Sequence, residues 1–312
     1  MSSPVIRISH LTKLFGDIKA VDDLSFSVNE GDVYGFLGQN GAGKSTTIRM
    51  LLTLIAPSEG NIEVFGMDLR KHKAEILRMT GAVIERPDLY TYLSALENIR
   101  IFAKMSGRKV SQKQMIDQLE QVGLVQRANS RVHTYSQGMK QRLGVAVALV
   151  HDPTLIVLDE PSNGLDPQGI ADMRNLILHL SRNLKKTVLV SSHLLSEIEV
   201  IANRILVIDK GKKMVEGTAE ELFNPAELMV ELQTLNPGIT TEVIRHSQWS
   251  NNVRRQQGAG FFLRMDKAEI PAFNNYLMNH GVEILSVYPR HSLEDYFLSL
   301  TSANQHVDAF AN

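Results

Sequence analysis

The sequence predicts an α/β fold, in which a mostly parallel sheet covered by helices is followed by a small α+β domain. A glycine-rich run at residues 38–46 lies between a short apolar strand and a helical segment. Three further apolar runs, at 155–158, 188–190 and 205–208, each follow a helical segment. This alternation is typical of buried parallel strands. The composition then changes after residue 225, which indicates a second domain.

The bulk properties of the chain are those of a globular protein with one large and one small domain. Its 312 residues are 43% hydrophobic and 21% charged, with a net charge of −1. A chain with so small a net charge has no overall electrostatic field that would favour binding to nucleic acid or to an anionic membrane. The lack of cysteine excludes disulfides, zinc–thiolate sites and cysteine nucleophiles. No apolar stretch is long enough to span a bilayer, and residues 1–7 lack the apolar core of a signal peptide. We therefore expect a soluble chain that would reach a membrane only through a partner protein.

The apolar spacing predicts the elements of the large domain in order. Residues 5–30 alternate apolar and polar positions around Gly16 and Gly31, which indicates strands and turns. Residues 33–37 form the strand before the glycine-rich run, and 47–54 form the helix after it. Helical spacing then returns in four segments, which are 72–79, 94–105, 111–122 and 136–150.

The end of the chain is predicted to form a hairpin, a short helix and a separate small domain. Residues 209–212 have a hairpin-turn sequence, and 218–221 open a short helix with a capping-box pattern. From Ala226 onward, six Lys or Arg stand against nine Asp or Glu, a balance of −3. The elements expected in this part are strands at 228–232, 260–265 and 282–288 and a helix at 267–279.

The glycine-rich run is the strongest functional signal, because it matches the phosphate-loop pattern G-x-x-x-x-G-K-[ST] in full. Glycines let backbone N–H groups surround phosphate oxygens, and the following helix N-terminus adds partial positive charge. Lys44 offers a cation to the β- and γ-phosphates, and Ser45 offers a hydroxyl to Mg²⁺. The alternative is a glycine-rich turn without a ligand. The predicted nucleotide-binding residues are Gly38, Gln39, Asn40, Gly41, Ala42, Gly43, Lys44, Ser45 and Thr46.

Two adjacent acids follow the apolar strand at 155–158. Asp159 is predicted to hold Mg²⁺, directly or through water. Glu160 is predicted to polarise the attacking water, because neighbouring carboxylates at a strand end can face a metal and a water separately. Taken alone, the pair could equally be a solvated strand end.

Residues 135–139 place a hydroxyl and a glycine at the start of an apolar-faced helix, which makes a second anion site. This run resembles the signature sequence of ATP-binding cassette (ABC) ATPases, which is usually Leu-Ser-Gly-Gly-Gln. Ser136 and Gly138 match the signature, whereas the other three positions depart from it. The resemblance implies that Ser136 and Gly138 bind ATP.

Further segments resemble the same family in the same chain order. Residues 161–166 resemble the D-loop, with Asp166 in its key position. Residues 191–193 resemble the switch segment, which implies that His193 contacts the γ-phosphate, although a lone histidine after a strand also has a structural explanation. Phe15 fits the aromatic that stacks on adenine, where the family more often has Tyr, and a core phenylalanine is the alternative.

One position departs from the family in a way that changes the local charge. Residues 81–85 stand where the Q-loop usually carries Gln, and this chain has Glu85. A carboxylate can offer an oxygen to Mg²⁺, but an ionised one cannot donate a hydrogen bond. It also adds negative charge beside a polyanion, which is unfavourable unless a metal or a proton offsets it. Glu85 is therefore predicted as a nucleotide and metal contact, and some antibiotic-resistance exporters carry a similar segment.

The resemblance covers about residues 5–223 and implies the P-loop ABC ATPase fold. That fold has a mixed core sheet with helices, an antiparallel β subdomain and a helical subdomain, here at about 86–150. The boundaries that we predict are 1–225 for the nucleotide-binding domain and 226–312 for the small C-terminal α+β domain. Residues 292–301 resemble the closing helix of ATPase subunits of multidrug and antibiotic exporters.

The same resemblance implies an ATPase that uses ATP and Mg²⁺ to energise an exporter of a drug, antibiotic peptide or similar substrate. Because the chain has one phosphate loop and one signature, a working unit needs a second cassette, most simply in a head-to-tail homodimer. The membrane permease would be a separate subunit, with residues 86–93 receiving one of its cytoplasmic helices. The chain would then be cytoplasmic and peripheral on the inner face of the cell membrane.

A soluble ABC ATPase with a role in assembly or regulation is the second hypothesis. Ribosome-type members resemble two fused cassettes, and DNA-repair types insert a long coiled coil for which 45–135 leaves no room. The slightly acidic C-terminal part argues against a nucleic-acid partner. A substrate-phosphorylating kinase is a third option, against which the signature segment argues.

Overall fold

The computed structural model of the chain describes residues 4–107, 109–222, 227–258 and 260–290. The chain divides into two compact units, residues 1–218 and 219–312. Within the described residues, each unit has its own hydrophobic core. In that same part of the chain, no helix is long and apolar enough to cross a membrane.

The first unit combines strands and helices throughout its length. Its described strands are β1 (Pro4–Phe15), β2 (Ile18–Asn29), β3 (Val33–Leu37), β4 (Glu59–Val64), β5 (Met67–Asp68), β6 (Thr80–Ile84), β7 (Leu155–Asp159), β8 (Thr187–Ser192), β9 (Arg204–Asp209) and β10 (Lys212–Thr218). Its described α-helices are α1 (Lys44–Leu51), α2 (Lys73–Arg78), α3 (Ala95–Met105), α4 (Gln112–Gln121), α5 (Gln137–Leu149), α6 (Pro167–Arg182) and α7 (Leu195–Ile201).

The central sheet has the strand order β10-β9-β3-β8-β7-β6. The five strands from β9 to β6 are parallel, and β10 is antiparallel to β9. The three predicted parallel strands and the predicted hairpin are confirmed. Lys210 and Gly211 form the turn with φ values of 47° and 79°, as a type I′ turn requires. Because the parallel strands end at one edge, the residues that follow β3, β6, β7 and β8 lie near one another.

A second, antiparallel sheet has the order β2-β1-β4-β5 and includes the strands predicted within residues 5–30. The two sheets share one core of buried side chains. Phe26 of β2, for example, stacks on Tyr34 of β3 with ring centroids 5.6 Å apart. This shared core fixes the position of the β1–β2 hairpin relative to the central sheet.

The helices α3, α4 and α5 confirm the helical blocks predicted at 94–105, 111–122 and 136–150. Ser94 and Ser111 each form a complete capping box, in which the hydroxyl and the third helical residue satisfy backbone N–H groups reciprocally. Ser136 is the N-cap of α5. These local signals explain why the helix starts could be predicted from the sequence.

The helix predicted at 47–54 was placed three residues too late. It begins at Lys44 and ends at Leu51. Residues 44–46 form the first helical turn, because Gly43 takes a left-handed conformation (φ 106°) that lets the helix start there. Thr53, also left-handed at φ 60°, stops the helix before its predicted end.

The second unit begins with the short helix α8 (Ala219–Leu222), which confirms the predicted helix start. The remaining elements are β11 (Glu227–Thr234), α9 (Pro237–Arg245), β12 (Val253–Gln257), β13 (Gly260–Asp266), α10 (Ile270–Asn279) and β14 (Ile284–Arg290). The sheet order β12-β13-β11-β14 is fully antiparallel, so the unit has a ferredoxin-like βαββαβ topology.

The sequence prediction for this unit was correct for β11, β13, α10 and β14 but missed α9 and β12. The sequence of β12 is Val-Arg-Arg-Gln-Gln, which lacks apolar alternation because β12 is a polar edge strand. The predicted segment at 292–301 lies outside the described residues.

Candidate nucleotide-binding site

The glycine-rich run connects β3 to α1 and forms a tight loop at the carboxyl edge of the central sheet. Gly41 and Gly43 have φ values of 84° and 106°, a region that favours glycine. A Cβ at Gly43 would lie 2.6 Å from the carbonyl oxygen of Ala20, and one at Gly38 would lie 2.6 Å from that of Ile208. The loop therefore needs glycine both for its backbone angles and for its close packing.

Lys44 is buried at the start of α1. Its ammonium donates to the carbonyl oxygens of Gly38 (2.6 Å) and Gln39 (3.2 Å). Its Nζ also lies 3.1 Å from Oε1 of Glu160, so the ammonium and this carboxylate form an ion pair. The cation is thus held inside the loop, where phosphate oxygens would meet it.

Asp159 is fully buried at the end of β7. Its Oδ1 accepts a 2.5 Å hydrogen bond from the hydroxyl of Ser191, which stands opposite it on β8. Its Oδ2 is buried without a hydrogen-bond partner. A buried, unpartnered carboxylate oxygen is costly unless it binds a cation, so Asp159 fits the predicted role of Mg²⁺ ligand. Ser45, half-buried in the first turn of α1, can offer a second oxygen.

Glu160 follows β7 in a left-handed conformation with φ 50°, which is unusual for a residue with a side chain. Its backbone N–H donates to the Ser191 hydroxyl at 2.9 Å. Its Oε2 lies 2.8 Å from Nδ1 of His193. An ionised carboxylate only accepts, so with Glu160 ionised Nδ1 is the donor in this contact and Nε2 is the other ring nitrogen available for a ligand. The structure therefore brings Lys44, Glu160 and His193 into one cluster.

Glu85 follows β6, the strand beside β7, and it is also left-handed, with φ 55°. Its Oε1 lies 2.6 Å from Nη2 of Arg49, which projects from the last turn of α1. Both side chains are partly exposed. Arg49 thus pairs with the negative charge of Glu85, and the sequence did not indicate this ion pair.

Ser136, Gly138 and Asp166 form a second cluster at the N-termini of α5 and α6. The exposed Ser136 hydroxyl accepts from the Met139 N–H at 3.3 Å, and the Asp166 carboxylate accepts from the Gly169 N–H at 2.9 Å. A Cβ at Gly138 would have Gly169 Cα as its nearest neighbour, at 3.8 Å. The signature and D-loop positions therefore share one surface at two helix starts.

Phe15 ends β1 at the turn of the β1–β2 hairpin, and 48% of its surface is exposed. This exposure contradicts the alternative of a core phenylalanine. The Lys13 ammonium lies 5.0 Å from the centre of the ring. The next strand of the hairpin passes Gly43 at Ala20, so the hairpin that carries Phe15 reaches the phosphate loop.

Two residues that were not predicted from the sequence, Ser191 and Glu197, form hydrogen bonds around the site. Ser191 bridges Asp159 and the backbone of Glu160. Glu197 of α7 accepts from the Ser192 hydroxyl at 2.9 Å, and Ser192 in turn accepts from the Leu194 N–H. Burial raises the pKa of Glu197, the Ser192 hydrogen bond opposes the rise, and the charge of Glu160 adds to it. The sequence places Ser191 at the end of an apolar strand, but it does not show that this strand lies beside the one that ends in Asp159.

Comparison with known proteins identifies relatives of nearly the same length. Residues 21–163 match the family described as ABC transporter. The bacitracin transport ATP-binding protein BcrA of Bacillus licheniformis is 41% identical over 96% of this chain and 97% of its own. The protein of the same name from Enterococcus faecalis is 35% identical over 95% and 96%. A solved ATP-binding cassette of an ABC transporter in its ADP conformation is 26% identical, with a TM-score of 0.65 over 70% of this chain and 93% of its own.

These similarities agree with the geometry at the carboxyl edge of the sheet, where a phosphate loop, a buried acid and a second acid meet. The predicted fold class and ATPase activity are confirmed. The relatives are transport proteins, which decides against the hypothesis of a soluble ATPase without a role in transport. The chain belongs to the ABC transporter family, in which it is an ATP-binding, ATP-hydrolysing subunit that energises a membrane transporter.

Proposed function

We propose that two copies of this chain bind ATP between them, head to tail, and drive a separate permease that exports an antibiotic peptide or a similar compound. The observation that carries the two-copy arrangement is the exposure of Ser136 at the start of α5. The hydroxyl and the free N–H groups of that helix turn are suited to phosphate oxygens. One chain has one such surface and one phosphate loop, so two copies make two complete sites.

Within each site, the residues of the loop and of the strand ends have separate tasks. The N–H groups of the loop and the Lys44 ammonium bind the β- and γ-phosphates. Glu160 orients the attacking water through its carboxylate. His193, fixed by Glu160 at Nδ1, offers Nε2 to the γ-phosphate and responds to its loss.

Mg²⁺ bound with the nucleotide would neutralise phosphate charge, with Asp159 Oδ2 and the Ser45 hydroxyl as its protein ligands. Glu85 is a weaker candidate ligand than Asp159, because its carboxylate is already paired with Arg49. Asp159 is held in place for this role by Ser191, which fixes the orientation of the carboxylate.

The permease would dock on residues 86–93, between β6 and α3. Tyr90 and Tyr92 are exposed there and form an edge-to-face pair with centroids 6.1 Å apart. Asn98 of α3 is buried and bonds both the N–H and the carbonyl of Tyr90, which makes this surface rigid. Rigid exposed tyrosines are suited to binding a helix from a partner. This docking would hold the chain on the inner face of the cell membrane.

The cargo is inferred from the relatives, which include bacitracin transport proteins of two species and a linearmycin resistance protein of Bacillus subtilis. An antibiotic of peptide or amphiphilic character is therefore the substrate class that we propose. Production of the chain with its permease in a sensitive bacterium should raise resistance to bacitracin or a related peptide. The Lys44→Ala chain should give no protection, and equal protection by both chains would contradict the proposal.

The two-copy site can be tested by mixing two inactive variants, Lys44→Ala and Ser136→Arg. A dimer with one chain of each kind has one site with both defects and one site with neither. Random mixing should therefore restore about a quarter of the wild-type ATPase activity, since about half of the dimers are mixed and each has one intact site. Activity that stays at the level of the separate variants, with both chains folded, would contradict a shared site.

A further inference from the structure

The ion pair between Arg49 and Glu85 joins the phosphate-loop helix to the end of β6. Nη2 of Arg49 lies 2.6 Å from Oε1 of Glu85, and the two side chains are 44% and 59% exposed. Arg49 is in α1, whose first turn carries Lys44 and Ser45. The pair therefore spans the two elements between which the nucleotide phosphates and their metal would lie.

The backbone at Glu85 is strained in the same way as at Glu160. Their φ values are 55° and 50°, and the residues before them, Ile84 and Asp159, are partners in the β6–β7 register. A side-chain-bearing residue in this conformation is strained and persists where surrounding contacts require it. Two neighbouring strands thus end in the same unusual turn, and each turn carries a carboxylate toward the same edge of the sheet.

The charges at this edge are unbalanced without Arg49. Asp159, Glu160 and Glu85 place three carboxylates at the ends of two neighbouring strands, where Lys44 is a buried cation in contact with Glu160. A nucleotide triphosphate adds several negative charges to the same place. Like charges at short range repel by amounts that matter for affinity even at surface dielectric. An amide at position 85 would add no charge, so the need for a compensating cation is specific to a glutamate there.

We propose that Arg49 is a positioning residue for nucleotide binding, which holds Glu85 and balances its charge so that the polyanion can bind. This inference rests on the proposed ATP site. An ordinary surface ion pair is the competing explanation, and exposed pairs contribute little to stability. The two explanations differ in one respect: only the first makes the effect of Arg49 on nucleotide affinity depend on the charge of Glu85.

The test is a double-mutant cycle with Arg49→Gln, Glu85→Gln and the variant that combines both. The measured quantities are the dissociation constant of a fluorescent ADP analogue in EDTA, the same constant in Mg²⁺, and KM and kcat for ATP. Arg49→Gln should weaken nucleotide binding about fivefold in both conditions and raise KM more than it lowers kcat. In the Glu85→Gln background the same change should alter affinity less than about twofold.

Two controls separate charge from structure. Arg49→Lys keeps the charge and should recover most of the affinity. Arg245→Gln removes an ion pair of similar exposure and length (2.7 Å, with Glu242) from the second unit and should leave nucleotide affinity unchanged. An equal loss on Arg49→Gln in both backgrounds, no loss in either, or coupling in Mg²⁺ only would overturn the proposal. Failure of the wild-type chain to bind nucleotide would instead overturn the proposed site itself.

Discussion

Lys44 and Glu160 are in direct ionic contact, with Nζ 3.1 Å from Oε1 and both side chains almost completely buried. The ammonium has three protons, and its three neighbours are the Gly38 and Gln39 carbonyls and this carboxylate. A γ-phosphate that binds Lys44 would therefore compete for the cation with a carboxylate that already lies against it. Glu160 is the anion among these three neighbours, so it is the one that an incoming phosphate would repel.

This contact leads to a prediction for Glu160→Gln. Removal of the carboxylate removes both the group that we propose orients the attacking water and the anion that would compete with phosphate for Lys44. ATP turnover should fall at least about a hundredfold, while ATP affinity stays equal or increases. The measurements are steady-state phosphate release and equilibrium binding of ATP.

A matched control is Glu120→Gln, which makes the same replacement at an exposed position of α4. It should leave turnover and affinity unchanged. Weaker ATP binding by Glu160→Gln, or turnover within about threefold of wild type, would show that Glu160 does not have the assigned role.

The buried hydroxyl of Ser191 gives a second prediction. Ser191→Ala would leave Asp159 without its hydrogen bond and the Glu160 N–H without its acceptor. The loss of partners for buried polar groups should lower the free energy of unfolding by about 1–3 kcal/mol. We also expect a lower kcat with a smaller change in KM, because the two acids lose their orientation.

Denaturant titration and steady-state kinetics measure these two effects. Ser27→Ala on β2 provides a control for the loss of a hydroxyl outside the site. A Ser191→Ala chain that has wild-type stability and wild-type kcat would mean that the observed hydrogen bonds contribute nothing.

The exposed ring of Phe15 gives a third prediction. If Phe15 stacks on the base, Phe15→Ala should weaken ATP binding about fivefold or more, since stacking of a base on an aromatic contributes about 1–3 kcal/mol. Phe15→Tyr should bind ATP as the wild type does. Ile18→Ala removes an even more exposed apolar side chain from the same hairpin and is the control. Equal affinity losses in Phe15→Ala and Ile18→Ala would assign the effect to the hairpin.

The sequence was sufficient to predict features that depend on residues close together in the chain. Helices with a serine cap and a matching third residue, such as those after Ser94 and Ser111, begin where predicted. The short apolar strands also lie where predicted, because they are buried on both faces. The phosphate loop could be identified for the same reason: its chemistry is carried by consecutive residues.

Features that depend on sheet register were not predictable in this way. Ser191 contacts Asp159, which is 32 positions away in the sequence, and Arg49 contacts Glu85, which is 36 positions away. Both contacts depend on the strand order β3-β8-β7-β6. The edge strand β12 was missed because its polar residues carry no alternation. The sequence thus indicated the acids of the site but not the residues that orient them or balance their charge.

A last prediction concerns Glu197, whose pKa is raised above the ordinary value of 4.5, chiefly by burial. When the pKa of a carboxyl is higher in the folded state than in the unfolded state, the folded state binds the proton more tightly. Below about pH 4.5 the carboxyl is protonated in both states, so its ionisation does not change the free energy of unfolding. As the pH rises from there through the folded pKa, the free energy of unfolding decreases. Glu197→Gln cannot ionise, yet its amide oxygen can still accept the Ser192 hydrogen bond.

Urea titration of both chains between pH 4.5 and pH 8 should consequently show the Glu197→Gln chain gaining stability over wild type as the pH rises, with little difference at the acid end. Glu120→Gln gives the effect of the amide itself at an exposed site. A Glu197→Gln chain that is less stable than wild type at pH 8 would mean that the charged carboxylate stabilises this region, through Ser192 or His193. Such a result would reverse the sign argued from burial and assign Glu197 the role of an electrostatic support of His193.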